Sequence, residues 1–528
     1  MTTEDTAKAA TGVKSASLDM FRAYKSLGEQ AFTPAEERFE RRRQTAGFIL
    51  APIVLVGLLI APLGLPWNQQ ALAAAFAFTI VLWLTEAIPI PVASLLGVAL
   101  MILIGVAPAG EVLSAFGNTI VLLYLGAFFL AQGLLKHGVA QRLAYSVLGS
   151  RIVGDSVIRA IAAFGLVTCV FAAFVSGTVT VAMLIPTALG LIVVISRKLG
   201  IQDPTKLRIG TALLLMLSFS ASVGGGITPV GGPHKIIGRD LIEAATGNPI
   251  SFFSWAGVGL AAALPLFIAL IVLLTRMNKP ETRRIPGLRD SMREERRAAG
   301  PMKRGSIITL VVFLLVVAGW ILPGLIGIFT GTESAAYIWG DSVLDEGLVA
   351  IVGASLLFLI PVSWKKREFV LTWSDANKTD WGTMLFIICA AAFGSQLSAT
   401  GLADHIGGML GDTFGAQSVV VLTFIAVLMA ILVSEFGSNL AAVGVVVPIT
   451  ISLAIGSGVD PTLPALAATL GASYGFMLPI STPQNALVYA TGAVPITRMV
   501  RSGIVFDVIA AIVVTAAVTL TGSFFGVV

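Results

Sequence analysis

The stretch that most constrains the fold is Ser434-Glu435-Phe436-Gly437-Ser438-Asn439-Leu440, a polar interruption between two apolar runs. Val419 to Val433 precedes it and is almost wholly apolar; Ala441 to Leu453, containing Pro448, follows. Comparable runs of about 20 residues recur along most of the chain. In hydrocarbon every backbone N–H and C=O needs a partner within the protein. A Gly/Ser/Asn break at membrane depth is therefore tolerated only where protein or a watery cavity surrounds it. The break reads as the tip of a re-entrant hairpin facing a binding site.

Composition agrees. Only 12% of the 528 residues are charged and 56% are hydrophobic, with a mean hydropathy of +0.91. A soluble domain carries about 25% charged residues. The prediction is an all-α polytopic membrane protein, since the alternating ~10-residue strands of a β-barrel are missing. Cys169 and Cys389 lie far apart in apolar runs, which argues against a disulfide framework or a Cys-based zinc site. The net charge of +5 is small; the placement of Lys and Arg matters more, because it sets topology.

Residues 1–45 read as a cytoplasmic segment without the apolar core of a signal peptide. Leu18, Phe21 and Tyr24 either line an interfacial helix or belong to a loosely ordered tail. Arg41-Arg42-Arg43 places the N-terminus inside. The first half, 46–275, contains a hairpin at about 156–195 that is basic at both ends and broken at Ser176-Gly177-Thr178. A helix interrupted by Gly224-Gly225-Gly226 and Thr228 to Lys235 follows. The basic linker 276–304 is cytoplasmic by the same rule. Its interleaved acids and membrane surroundings exclude a nucleic-acid partner. The second half, 305–528, repeats the plan with a hairpin at about 416–456, entered from outside. A helix broken near Met477 to Asn485 comes next, and a last span leaves the C-terminus outside. The sum is about eleven transmembrane helices plus two re-entrant hairpins, in the cell's inner membrane.

The halves correspond. Ser176 to Pro186 has the spacing of Ser438 to Pro448, and each half has a Thr-Pro-containing break further on. Hairpins entered from opposite sides make two inverted-topology repeats, a common plan for secondary transporters with a midplane site. Half-helix N-termini suit an anion. Unwound carbonyls and Ser, Thr and Asn oxygens suit Na⁺.

From about Phe48 onward the chain resembles the divalent anion/sodium symporters, the sodium-dicarboxylate/citrate/sulfate transporters. Trp83 to Pro91 is similar to the family's Trp-Leu-Thr-Glu-Ala-Ile-Pro signature, the hairpin tips to paired Ser-Asn-Thr motifs, and Ser481 to Asn485 to a Thr-Pro-Pro-Asn loop. The resemblance implies an ion-transporter-superfamily fold and a homodimer that works as an elevator and couples a small anionic substrate to Na⁺. It implies substrate contacts at Ser176, Gly177, Thr178, Thr228, Pro229 and Lys235, and at Ser438, Asn439, Leu440, Thr482 and Pro483. It implies one sodium site at Ser434, Asn439 and Ser481 and another at Gly225 and Gly226.

The first half departs from that pattern. Gly177 stands where Asn is expected, Gly232 to Lys235 replaces Thr-Pro-Pro-Asn, and Ala172 offers no side-chain oxygen; in the second half Leu440 replaces Thr. These changes point to an asymmetric substrate with an apolar part near Leu440. The Lys235 ammonium is a candidate substitute for the first sodium ion, which would permit sodium-independent exchange. A shallow break would instead let Lys235 snorkel to the interface. Glu86 and Glu435 are read as caps of exposed backbone, and His234 as a hydrogen-bonded loop residue. The histidines, His137, His234 and His405, form no ligand-spaced pair, which disfavours an intramembrane enzyme. A channel would not need an inverted repeat with broken helices.

Overall fold

The computed structural model describes residues 34–331, 333–403, 405–406, 418–479 and 481–527. The Leu18, Phe21 and Tyr24 face lies outside them. The described chain is helical apart from one small hairpin. Its first helices are α1 (Pro34–Ile60), α2 (Trp67–Thr85), α3 (Ile90–Leu103), α4 (Thr119–Lys136) and α5 (Val139–Leu148). Pro at the first turn of α3 sets its start, where a missing N–H costs nothing. Asn118 caps α4, its side chain accepting from Ile120 N. The arginine flank is helical too, so the first helix begins at Pro34, well before the apolar run.

Two arms, α6 (Val157–Ala172) and α7 (Gly177–Leu199), form the first hairpin. They lead into α8 (Arg208–Gly225), which is interrupted before α9 (Pro233–Thr246) and followed by α10 (Phe252–Met277). The linker is not only a loop. It folds α11 (Leu288–Ala298), whose Leu288 and Met292 are one turn apart and buried. Arg293 of α11 donates to Gly149 O at 3.2 Å, fastening it beside α5.

The second half holds α12 (Arg304–Thr330), α13 (Ala335–Val343), α14 (Glu346–Leu359) and α15 (Trp381–Ala399). Between α14 and α15, β1 (Pro361–Ser363) and β2 (Glu368–Phe369) pair antiparallel around the basic turn. The second hairpin is α16 (Val419–Phe436) and α17 (Asn439–Gly456). Then come α18 (Thr462–Gly471), a break, α19 (Pro483–Tyr489) and α20 (Ile496–Thr521). The order hairpin, broken helix, long helix thus occurs twice.

Among the described residues, 11 helices are long and apolar enough to cross a membrane. Three of these are hairpin arms, α7, α16 and α17. Helices α13 and α14 together make one further candidate span, bent by 49° at their break, and the apolar helices α3, α6 and α18 are shorter.

Packing sorts the helices. The first four, with α12, α14 and α15, pack on one another; the hairpins pack with α8, α10, α18 and α20. The half-helix α9 lies between, against α15 on one side and α17 and α18 on the other. Helix α8 is buried from Ile209 to Gly225, in keeping with a sequence that is without charge on any face there.

Candidate functional site

Each hairpin tip meets a break, and the second junction is rich in side-chain oxygens. Ser434, in the last turn of α16, donates to Asn439 Oδ1 at 2.8 Å and to Ala472 O at 2.9 Å. Ser481 donates to Glu435 Oε2 at 2.6 Å and to Glu435 O at 3.1 Å. Asn485 stitches the break by donating to Gly475 O and Leu478 O, both at 3.1 Å. Ser434, Asn439 and Ser481, the residues expected to hold sodium, are therefore brought to one junction. Hydroxyl, amide and carbonyl oxygens are the donors a hard monovalent cation takes.

Glu435 is fully buried there, and Met477 N donates to its Oε1 at 2.8 Å. It thus satisfies exposed backbone at a break, as expected, although on the facing segment. Glu86 does not: it lies at φ +46 and its carboxylate pairs with Arg43 at 3.1 Å.

The first junction has the same layout and different chemistry. By spacing from each tip Ser and each break, Ala172 occupies the place of Ser434, Gly177 of Asn439, Gly231 of Ser481, Gly225 of Gly475 and Lys235 of Asn485. The side-chain oxygens of Ser434, Asn439, Ser481 and Asn485 thus all have counterparts without one. What arrives instead is an ammonium. Lys235 is 2% exposed, and its Nζ lies 3.2 Å from His234 Nε2. A Cβ built on Gly225 would lie 3.0 Å from Gly231 O, 3.4 Å from Lys235 Nζ and 3.6 Å from Ala172 O. The ammonium and two carbonyls thus share one small space. Lys235 does not snorkel, and no described carboxylate pairs with it. Of the two glycines expected to face sodium, Gly225 lines the ammonium's surroundings, whereas Gly226 O accepts from Trp255 Nε1 at 3.3 Å.

Thr228 is buried and donates its hydroxyl to Ala173 O, closing the first tip onto its break. Pro229 is buried beside it, so both shape the break rather than face open space. Thr482 caps α19 through Asn485 N at 3.2 Å, and Pro483 is exposed at that helix's first turn. Ser176, Gly177 and Thr178 at one tip, and Ser438, Asn439 and Leu440 at the other, are half-buried. Leu440 lines a cleft of about 480 Å³ together with Glu86 to Pro91, Asp380 and Thr383. Trp83, the head of the signature stretch, is buried against Phe386 and Phe393 and donates to Ser94 Oγ at 3.0 Å. That stretch builds a wall of the cleft.

The two breaks also touch each other. His234 Nε2 lies 2.8 Å from Ser473 Oγ, and Ser218 donates to Asn485 Oδ1 at 2.6 Å. His234 sits in the first turn of α9, not in a loop. Two residues escaped the sequence reading. Gln484 reaches from the second break to the first tip, where its Oε1 accepts from Thr178 at 3.3 Å. Asp507 of α20 is buried, with its carboxyl facing Glu435 and the backbone of Phe476. An acid inside an apolar span was a readable signal for Asp507; Gln484 needed the fold.

Comparisons with known proteins agree with this architecture. The family model described as the sodium:sulfate symporter transmembrane region matches residues 43–528. The sodium-dependent dicarboxylate transporter SdcS of Staphylococcus saprophyticus is 30% identical over 482 residues, covering 90% of this chain and 91% of that protein. SdcS of Staphylococcus aureus strain NCTC 8325 is 28% identical, covering 90% of each. Among solved structures, MtrF of Neisseria gonorrhoeae shares the fold at a TM-score of 0.53 and 14% identity, over 88% of this chain and 97% of that one. The chain belongs to the sodium:sulfate symporter family of multi-pass membrane transporters.

Proposed function

We propose that the chain is a secondary active carrier of a small anion, a di- or tricarboxylate or sulfate, across the inner membrane. One sodium ion is coupled at the second junction, and the Lys235 ammonium stands in the first cation position. The observation that carries this reading is the replacement, position by position, of Ser434, Asn439 and Ser481 by Ala172, Gly177 and Gly231, with Lys235 Nζ in the space so cleared. A buried ammonium without a carboxylate partner is costly. An anionic substrate between the tips offsets that cost, because the ammonium attracts it as a sodium ion there would. The curated relatives' names, sodium-dependent dicarboxylate transporters, support the substrate class and the coupling ion.

The basic stretches Arg41–Arg43, the 276–304 linker and Lys365–Arg367 support a cytoplasmic N-terminus and an outside C-terminus. In that orientation the cleft beside Leu440 opens to the cytoplasm. We take the hairpins and broken helices as a unit that slides against the remaining helices in an elevator motion, in a homodimer. The sorting of helix packing into two sets supports this division.

The test is uptake of labelled succinate, citrate and sulfate into proteoliposomes, with and without an inward sodium gradient. A carrier shows trans-stimulation, and an unstimulated flux would overturn it. Ser434→Ala is expected to raise the half-saturating sodium concentration at least fivefold. Lys235→Asn is expected to lower uptake at least tenfold and to change the sodium cooperativity. Unchanged cooperativity and rate in Lys235→Asn would remove Lys235 from the cation role. The full burial of Lys235 favours a second reading, sodium-independent exchange, which counterflow of equal rate in sodium and in choline would establish.

A further inference from the structure

The first hairpin tip lacks the amide that the second tip carries. Asn439 accepts from Ser434 through Oδ1 and leaves its two Nδ2 donors without a protein partner among the described residues. Gly177, at the same place in the first tip, has no side chain to do this. The space is not empty of amides, however. A Cβ built on Gly177 would meet Gln484 Nε2 at 3.4 Å as its nearest neighbour, then Ala221 O at 3.5 Å. Gln484 comes from the opposite half of the chain, in the first turn of α19. It is 6% exposed and held on both sides: Thr178 donates to its Oε1 at 3.3 Å, and its Nε2 donates to Ser222 Oγ at 3.0 Å. One N–H of that amide stays uncommitted.

We infer that Gln484 is a substrate-specificity residue: its carboxamide, delivered from the second break, supplies the first tip with the oxyanion donor that Gly177 cannot carry. The inference rests on the carrier reading above and deepens it by assigning the contact for one carboxylate or sulfate group. The amide is pre-positioned by Thr178 and Ser222, so an anion finds it ordered rather than having to immobilise it. It also ties anion binding at the first tip to the second break, which the Asn of an ordinary tip would not do.

A paired substitution tests this. Gln484→Ala removes the donor; Gly177→Asn restores an amide on the tip itself. In Gly177→Asn alone the new amide needs the volume that Gln484 fills, so uptake is expected to fall. The expected pattern in proteoliposomes, with labelled succinate and labelled sulfate as separate probes, has three parts. Gln484→Ala raises KM about tenfold and moves the half-saturating sodium concentration less than twofold. Gly177→Asn lowers Vmax. The double variant Gly177→Asn/Gln484→Ala recovers a KM within about threefold of the parent. A KM effect confined to succinate or to sulfate names which anion the amide reads. A folding defect is separated by size-exclusion profile and melting temperature, and Gln484→Glu, which keeps the length and repels an anion, is expected to bind worse than Gln484→Ala. Parental KM in both Gln484→Ala and Gln484→Glu, or a double variant no better than Gln484→Ala, overturns the inference alone. Absence of trans-stimulated uptake of either probe by the parent overturns it together with the carrier reading.

Discussion

Single residues at the first junction differ sharply in how much room they leave. A Cβ on Gly231 would lie 2.3 Å from Gly225 O and 2.8 Å from Ala172 O, both backbone atoms that cannot move aside. A Cβ on Gly232 would lie 2.9 Å from Lys235 Nζ, the end of a flexible side chain. Gly231→Ala is therefore expected to abolish transport and lower the melting temperature. Gly232→Ala is expected to fold normally and lower uptake by displacing the ammonium. Equal melting temperatures for the two variants would contradict this ruler. Asp507 makes the opposite case. Its buried carboxyl faces that of Glu435. Leaving a buried polar group without its partner costs about 1–3 kcal/mol. Asp507→Ala is expected to lower the melting temperature, and Asp507→Asn, which can still donate to Glu435, to lower it less. A rise in either variant would show that the two acids repel.

Elements repeat where residues do not. Helices α7 and α17 both begin after a tip Ser and both contain a proline, Pro186 and Pro448. Yet Ser438 caps α17 by accepting from Ala441 N at 3.2 Å, whereas Ser176 makes no capping bond to α7. Loss of a serine cap costs about 1 kcal/mol. Ser438→Ala is accordingly expected to lower thermal stability and speed amide exchange in the first turn of α17, with a smaller effect of Ser176→Ala in α7. Hydrogen exchange at the two tips reads this directly; equal protection changes would mean that the caps are equivalent in solution. Both hairpins were legible in the sequence, because a Ser/Gly/Asn break inside an apolar run has few other solutions in lipid. The linker helix α11 was less legible, because its two buried residues, Leu288 and Met292, are dispersed among arginines.

Across the whole molecule, one charged contact joins the half-helix α9 to the helices on its far side. Arg239 is 7% exposed and forks onto Glu346 of α14, at 2.5 and 3.1 Å. Glu346 also accepts from Phe252 N at 2.7 Å, at the start of α10. Asn118, the cap of α4, donates to Asp240 at 3.3 Å beside it. If the hairpin-bearing set slides as proposed, this contact must open. Removing one partner of a buried pair costs about 3–5 kcal/mol, and the partial exposure of Glu346 puts the expectation at the low end. Glu346→Gln is expected to lower the melting temperature and to change the rate of succinate exchange while its KM stays near the parental value. An altered KM with an unchanged rate would place the pair in anion binding instead of in the motion.

The amino-acid sequence by itself determined the membrane class, the two broken hairpins, the broken helices behind them and the departures at Ala172, Gly177 and Lys235. Those follow from local rules: apolar length, breaks that need shelter, and charges that cannot lie in hydrocarbon. The tertiary structure decided which of two fates Lys235 meets, because burial among Gly225, Gly231 and Ala172 depends on how close two backbones come. It also decided that Gln484 serves the first tip. Gly177 and Gln484 are far apart in the chain, and only the packing of α19 against α7 brings them together. Spacing along a sequence reports what lies on one helix; it carries no information about an amide arriving from the other half.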